Sequence, residues 1–433
     1  MKTLLRRSPT SFERLPSRVP TAMDVKLTYA EDTISLTLPD WVDMQEYGVL
    51  SDGAPLSYDQ FVESFERSGG ERVLEGEPPL IIVNDGHRPT PTAQILDWLD
   101  QYDGRLLDNA LFLIACGTHG EPSADHYRKI FGRHLDRLRD RLAWHDCGDL
   151  SRMTKIGCDR FGEPFYLNSR AFKARKILII TSVEPHYFAG FTGGRKSLFP
   201  GLTDRATIER NHNLANSLDC QPLRLKGNPM AEHLDELLEQ FDSSKVFSIQ
   251  VVADASRRIL HAFCGPLQMA FEKAVAASFQ LYAHTIPRPY DLVLAEVLPP
   301  LDRTLYQIQK GLENSQAGCA DRGTVAVVAS CRDGIGKRSF FDLAGSWDRE
   351  TNQPRDGVPR FGSHKLSRVN AMTRRINVRL YSELPDDQPR RVFYEPVHDL
   401  ETLTHECLNK NDRKRLAVVR DAGHTVLKLA GAP

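Results

Sequence analysis

The stretch "KILIITSVEPHYFAGFTGGRKSLFPGL" (residues 176–202) decides how this chain is read. Its first half is an unbroken apolar run, as expected of a strand buried on both faces in a parallel sheet. Its second half carries glycines, His186 and Lys196 before the next helical pattern begins near Thr203. In open α/β sheets, ligands bind at that place, beyond the carboxyl end of a strand. "GFTGGRKS" (190–197) superficially matches a P-loop, but Arg195 stands where that loop needs glycine before Lys196. A Walker site is therefore not expected. Gly193 and Gly194 still permit unusual backbone angles and leave N–H groups exposed.

The same strand-then-helix rhythm runs outward from this stretch. "LIIVN" (80–84) precedes a helical pattern from about Pro91, and "ALFLIAC" (110–116) precedes one from about Ser123. "KVFSIQVV" (245–252) follows the polar helix "MAEHLDELLEQF". Prolines break the pattern at "HTIPRPYD" (284–291), and a second series opens with "YDLVLAEV" (290–297) and "GTVAVVAS" (323–330). "DVKLTYAEDTISLT" (24–37) alternates like a hairpin, "GSWDRETNQPRDGVPRFG" (345–362) is loop-like, and "RLAVVRD" (415–421) is the last strand candidate. The pattern implies an α/β fold: two α/β domains with largely parallel sheets and an active-site cleft between them.

Bulk properties exclude several classes. With 433 residues, 41% apolar and 26% charged, the chain is an ordinary folded protein of two or three domains. A formal net charge of −1 gives no general pull toward nucleic acid or an anionic membrane. No run approaches the roughly 18 apolar residues of a membrane span. The N-terminal "MKTLLRRSPTSFERLPSRVPT" lacks the apolar core of a signal peptide. The 8 cysteines contain no C-x-x-C pair and read as reduced cytoplasmic thiols.

Three strand ends carry candidate chemistry. After "LIIVN" come Asp85, Gly86, His87 and Arg88, with Thr90 placed to cap the next helix and Pro91 in its first turn. Arg88 beside a helix N-terminus would favour an anion, or else is a structural arginine in a stiff turn. After "ALFLIAC" comes His119, flanked by Gly117 and Gly120, either a structural ring or an approachable catalytic one. The third end brings His186 and Lys196, with His212 about two turns into a helix capped by Thr203 or Asp204. No zinc spacing such as H-E-x-x-H is present. His145 and Asp146 in "WHDCGD" suggest a dyad, but a satisfied structural histidine is the simpler reading, as a solvated helix face is for "RKIFGRHLDRLRDR" (128–141).

Taken in order, "VNDGHRPTPT", "CGTHGEP", "EPHYFAGFTGGRKSLFPGL", "NHN" and "LYQIQKGLENS" resemble the nickel-dependent lactate racemase family. The resemblance covers nearly the whole chain and implies a first domain over 1–287 and a second over 288–414, with 415–433 returning to the first. It implies a cofactor, the nickel-pincer nucleotide, a pyridinium bis-thiocarboxylate mononucleotide tethered at Lys196, with His212 as the protein ligand to nickel. His119 and His186 would be the paired acid/base residues, and Arg88 and Lys310 would hold substrate carboxylate and hydroxyl. Tyr306 and Gln307 would lie nearby from the second domain, with Asp85, Gly193 and Gly194 at the cofactor. The implied reaction is racemisation or epimerisation of a 2-hydroxy acid through a 2-keto acid, by hydride transfer coupled to proton transfer. Imidazoles suit it because their pKa near 6.5 allows proton transfer in either direction. The cofactor would come from dedicated synthesis enzymes, with no nucleic-acid or membrane partner.

The chain departs from the family pattern at two places. His87 replaces the threonine of the usual D-x-T-R-P loop. "FGSHKLSRV" puts His364 or Lys365 where lactate racemases place a tryptophan, which favours a substrate larger or more polar than lactate. Arg332 and Asp333 in "CRDGIGK" form another strand-end loop that could add specificity. Competing readings are a non-catalytic carrier of the nucleotide and a metal-assisted hydrolase. A carrier has no need of a second base, and no three-ligand hydrolase spacing is visible.

Overall fold

Apolar residues on both sides of a strand demand cover on both sides, and the first sheet has it. In the computed structural model, which describes residues 23–39, 41–50, 53–358, 360, 362–408 and 414–431, Ile177–Ser182 is a central strand with every residue buried. The N-terminal basic stretch discussed above lies outside the described residues. Leu178 and Ile180 face a core with Ile81, Phe112 and Phe65, whereas Ile177 and Ile179 face another with Ile82, Phe199 and Leu234. Each fully buried Ile or Leu contributes roughly 1.5–3 kcal/mol, so this two-sided pattern sets the strand's place in the sheet.

The sheet has 6 strands. Ile177–Ser182 pairs in parallel with Leu80–Asn84 and with Val246–Ala253. Leu80–Asn84 pairs with Leu111–Ala115, which pairs with Leu142–Trp144, again in parallel. Ile259–Pro266 closes the other edge antiparallel to Val246–Ala253. The second sheet also has 6 strands, all parallel: Glu395–Val397, Asn377–Tyr381, Cys319–Val328, Tyr290–Glu296, Arg415–Val419 and Asp43–Tyr47. The two-domain α/β architecture is therefore present.

The strand at 415–419 corrects the expected return of 415–433 to the first domain. It lies inside the second sheet, between Tyr290–Glu296 and Asp43–Tyr47. Leu416 to Val419 are buried, and an interior position supplies a neighbour on each side and cover on each face. The chain's beginning travels with it. The expected hairpin, Met23–Tyr29 with Asp32–Leu38, packs Val25, Leu27 and Leu36 on Leu292, Leu294 and Leu416. The last strand, Val426–Leu429, pairs in parallel with Ala283–Ile286, which falls within the expected first domain of 1–287.

Candidate active site

Loops from the carboxyl ends of strands in both sheets converge on one cleft of about 190 Å³. Arg88 and His186 line it from the first sheet, and Lys310 from the second domain. Lys310 sits on the helix Leu305–Ser315, whose first turn carries Tyr306 and Gln307.

The loop after Leu80–Asn84 is tied down from inside. Thr90 was expected to cap the next helix, but the helix Thr92–Asp103 has no side-chain cap at its start. The buried Thr90 hydroxyl instead contacts Asn84 Oδ1 at 2.9 Å and Ser182 Oγ at 2.8 Å, linking neighbouring strand ends. Asp85, expected at the cofactor, bonds to His119 Nδ1. Burial opposes ionisation of Asp85, yet the hydrogen bond from His119 and the charges of His119 and Arg88 bring its pKa below the usual carboxylate value. An ionised carboxylate only accepts, so His119 Nδ1 donates, and in the neutral ring the lone pair is on Nε2. The His119 side chain is 40% exposed, which leaves that lone pair reachable.

His186 is wired the opposite way. Its Nδ1 accepts from the backbone N–H of Phe188 at 3.2 Å and of Ala189 at 3.0 Å. The ring proton therefore sits on Nε2, and the ring is neutral. Burial, followed by the charges of Lys196, Arg88 and Lys310, pushes its pKa well below 6.5. The same crowding acts on the lysines. Burial and then Arg88 lower Lys196 to about 7 and Lys310 to about 8.

The glycine turn is built by packing. A Cβ on Gly193 would meet Val183 at 2.6 Å and one on Gly194 would meet Phe271 at 2.6 Å, with φ of +76 and +53. The expected exposure of N–H groups is not found at Gly194, whose N–H donates to Gln250 Oε1 at 2.9 Å. Arg195 points away, to Asp235 at 2.5 Å, which agrees with the absence of a P-loop. His212 rides the helix Arg205–Asn213, capped by Asp204 as expected. Its Nδ1–H donates to Ile208 O at 2.8 Å, which fixes the tautomer with the lone pair on Nε2. Burial and then Lys196 lower its pKa to about 4.

From the second domain, His364 is buried edge-on to Phe188 at 5.1 Å and lies 6.4 Å from the His212 ring. Lys365 is engaged elsewhere: its Nζ donates to Tyr306 O at 2.8 Å and lies 3.9 Å from the Tyr306 ring centre. His364, rather than Lys365, is the member of that pair beside His212. Arg332 and Asp333 are spent on exposed ion pairs with Glu383 and Arg303. His145 is structural: it is buried, its Nε2–H donates to Thr203 O at 2.9 Å, and Asn168 Nδ2 donates to its Nδ1 at 3.2 Å. The charged run 128–141 is not one solvated helix; it breaks at Gly132, and Arg133 and Arg137 pair with Asp97 and Asp100.

Two clusters escaped the sequence reading. One is Glu184, Asp421 and His424 in the same cleft. His424 Nδ1 lies 3.0 Å from Asp421, and its Nε2 lies 3.7 Å from Glu184. Burial opposes it, but those carboxylates raise the His424 pKa. Asp421 holds φ +44, a strained value for a non-glycine residue, and Asn314 Nδ2 pins the loop through Ala422 O at 2.9 Å. The strand-end rule, applied to "RLAVVRDAGH", could have found it. The other cluster is Asp85, His87 and His119, whose ligand atoms lie within 4.8 Å of one another. No local spacing announces it.

These features define a class: a two-domain α/β protein with a cation-rich cleft, two differently wired histidines, a half-buried lysine of lowered pKa and a third histidine of fixed tautomer. The lactate racemase N-terminal domain family matches residues 68–220, and the lactate racemase C-terminal domain family matches 291–356. The lactate racemase of Thermoanaerobacterium thermosaccharolyticum is 28% identical over 424 residues, covering 94% of this chain and 92% of the relative. That of Lactiplantibacillus plantarum is 28% identical over 278 residues, covering 63% of this chain and 64% of the relative. The solved apoprotein of the Thermoanaerobacterium enzyme superposes with a TM-score of 0.79 at 22% identity, covering 94% of this chain and 100% of the other. A Thermotoga maritima protein of solved structure gives 0.65 at 17% identity, covering 88% and 100%. The chain belongs to the lactate racemase family. Among the described residues, no helix is long and apolar enough to cross a membrane.

Proposed function

We propose that the protein is a nickel-dependent racemase or epimerase of a 2-hydroxy acid. The observation that carries this reading is the opposed wiring of His119 and His186: His186, Arg88 and Lys310 line one cleft, and His119 packs against His87 at its edge. The chemistry of the donor set fits a tethered nickel-pincer nucleotide. Lys196, half-buried with its pKa lowered to about 7, has an amine neutral enough to be acylated, and His212 holds one oriented imidazole lone pair. When bound, that group supplies the acceptor and donor of the C2 hydride.

The chain's own residues do the rest. Arg88 holds the carboxylate bidentately, so that only C2 reorients. Lys310, protonated below about pH 8, stabilises the substrate oxygen as its charge changes. His119 takes the hydroxyl proton at Nε2, and the Asp85 carboxylate stabilises the imidazolium that forms. His186 offers Nε2–H to the oxygen from the other side of the planar 2-keto acid. Full proton transfer through His186 needs a proton on Nδ1, and therefore release of the Phe188 and Ala189 contacts. Glu184 and His424 give the cleft polar walls and His364 stands beside His212, which supports a substrate larger or more polar than lactate.

A carrier protein would need Lys196 and His212 but not the His119–Asp85 pair. The test is intact mass with nickel content, on protein made with and without the cofactor-synthesising enzymes. A mononucleotide-sized adduct at Lys196 and nickel near one per chain are expected. His212→Ala should lose most of the metal, whereas His186→Ala should keep it and lose racemisation of a panel of chiral 2-hydroxy acids. Absence of adduct and nickel, with a lactate racemase loading normally alongside, would reject the tether.

A further inference from the structure

We propose that Asp85, His87 and His119 form a second metal site, for a zinc-class divalent ion, at the mouth of the cleft, and that an ion there switches off His119. Two parallel neighbouring strands, Leu80–Asn84 and Leu111–Ala115, end side by side and deliver the three side chains to one point. Their ligand atoms lie within 4.8 Å of one another. Metal–ligand bonds of about 2.0–2.2 Å put ligands roughly 3–4 Å apart, a closure within reach of partly exposed rings. Two imidazoles and one carboxylate with remaining positions open suit zinc, nickel or iron rather than calcium or magnesium.

The site is also braced. The His87 ring packs against His119 at 4.3 Å and against His126 at 4.5 Å. Gly86, between the two ligands of the first loop, is pressed so close to His126 that a Cβ would lie 2.4 Å from the ring. Lys129 Nζ holds the Gly86 carbonyl at 2.5 Å. The loop carrying Asp85 and His87 is thus held in place without any metal.

The consequence for catalysis follows from the imidazole's two nitrogens. If the ion binds Nδ1, the proton there moves to Nε2; if it binds Nε2, it takes the lone pair directly. In either mode Nε2 can no longer accept the substrate proton. This inhibitory half rests on the assignment of His119 as base; binding itself does not. His212 is a separate site, so the two can be told apart by mutation.

The experiment is zinc titration of cofactor-free protein against a chromophoric chelator, for wild type, His87→Ala, His87→Gln and His212→Ala. His87 is exposed, so its replacements should melt like wild type. The expected result is stoichiometric zinc binding that weakens about tenfold or more in both His87 variants and persists in His212→Ala. Binding unchanged by the His87 changes, lost only in His212→Ala, or absent up to about 1 mM zinc would overturn the site. In the loaded enzyme, zinc should inhibit wild type and spare His87→Gln. Zinc bound at this site without inhibition would overturn the switch.

Discussion

His119 and His186 stand at the ends of two strands of one sheet, yet their surroundings are opposite. His119 is partly open, and its Nδ1–H is committed to an ionised carboxylate. His186 is half-buried among cations, and its Nδ1 is committed to two backbone N–H groups. The same side chain is thereby prepared as an acceptor at one place and as a donor at the other. What differs is the partner of the far nitrogen, and that partner comes from loop geometry rather than from the histidine. A reaction that must run in both directions would place one ring on each face, and this pair starts from unequal states.

The contrast can be broken or sharpened by measurement. The largest effect is expected for His119→Ala, with kcat falling by up to about 10⁴-fold, the scale of a lost general base. A loss smaller than tenfold would remove His119 from the proton path. Asp85→Asn should cost about 10²-fold in kcat with KM little changed. The introduced amide can donate to Nδ1, which sends the ring proton to Nε2 and makes His119 resemble His186. Equal rates for wild type and this variant would end the contrast between the two rings. Next comes the cation shared by the His186 side of the cleft. Lys310 carries its charge below about pH 8 and loses it above. KM should therefore be flat on the acid side and rise up to about tenfold per pH unit beyond 8, while Lys310→Arg stays flat. A flat wild-type profile would argue that Lys310 does not bind substrate as a cation. The smallest effect belongs to a structural ring: Asn168→Ala, which removes a partner of His145, should cost about 1–2 kcal/mol of stability and leave kcat untouched.

Much of the fold was legible because it is written locally. Two-sided apolar runs such as "KILIIT" announce buried parallel strands, and the glycine, proline and histidine clusters after them mark ligand loops. His119, His186, Lys196 and His212 were singled out as candidates this way, and the motif order carried the resemblance. The Thr90 cap was misread because a hydroxyl's partners depend on which strand ends lie beside it. Asp85 was assigned to the cofactor because nothing in its own loop shows that His119, 34 residues on, folds against it.

By itself, the sequence determined the strand and helix rhythm, the two-domain α/β class, the candidate loops at the strand ends and the family. Each of these depends on residue type and short-range spacing, which the chain carries wherever it goes. Tertiary structure alone decided that 415–419 belongs between 290–296 and 43–47, with Arg415 meeting Asp43 across 372 residues. It also decided that Asp85, His87 and His119 share one point and that His119 holds its proton on Nδ1. Those are contacts between distant segments, set by which buried faces pack together, and no local pattern encodes them.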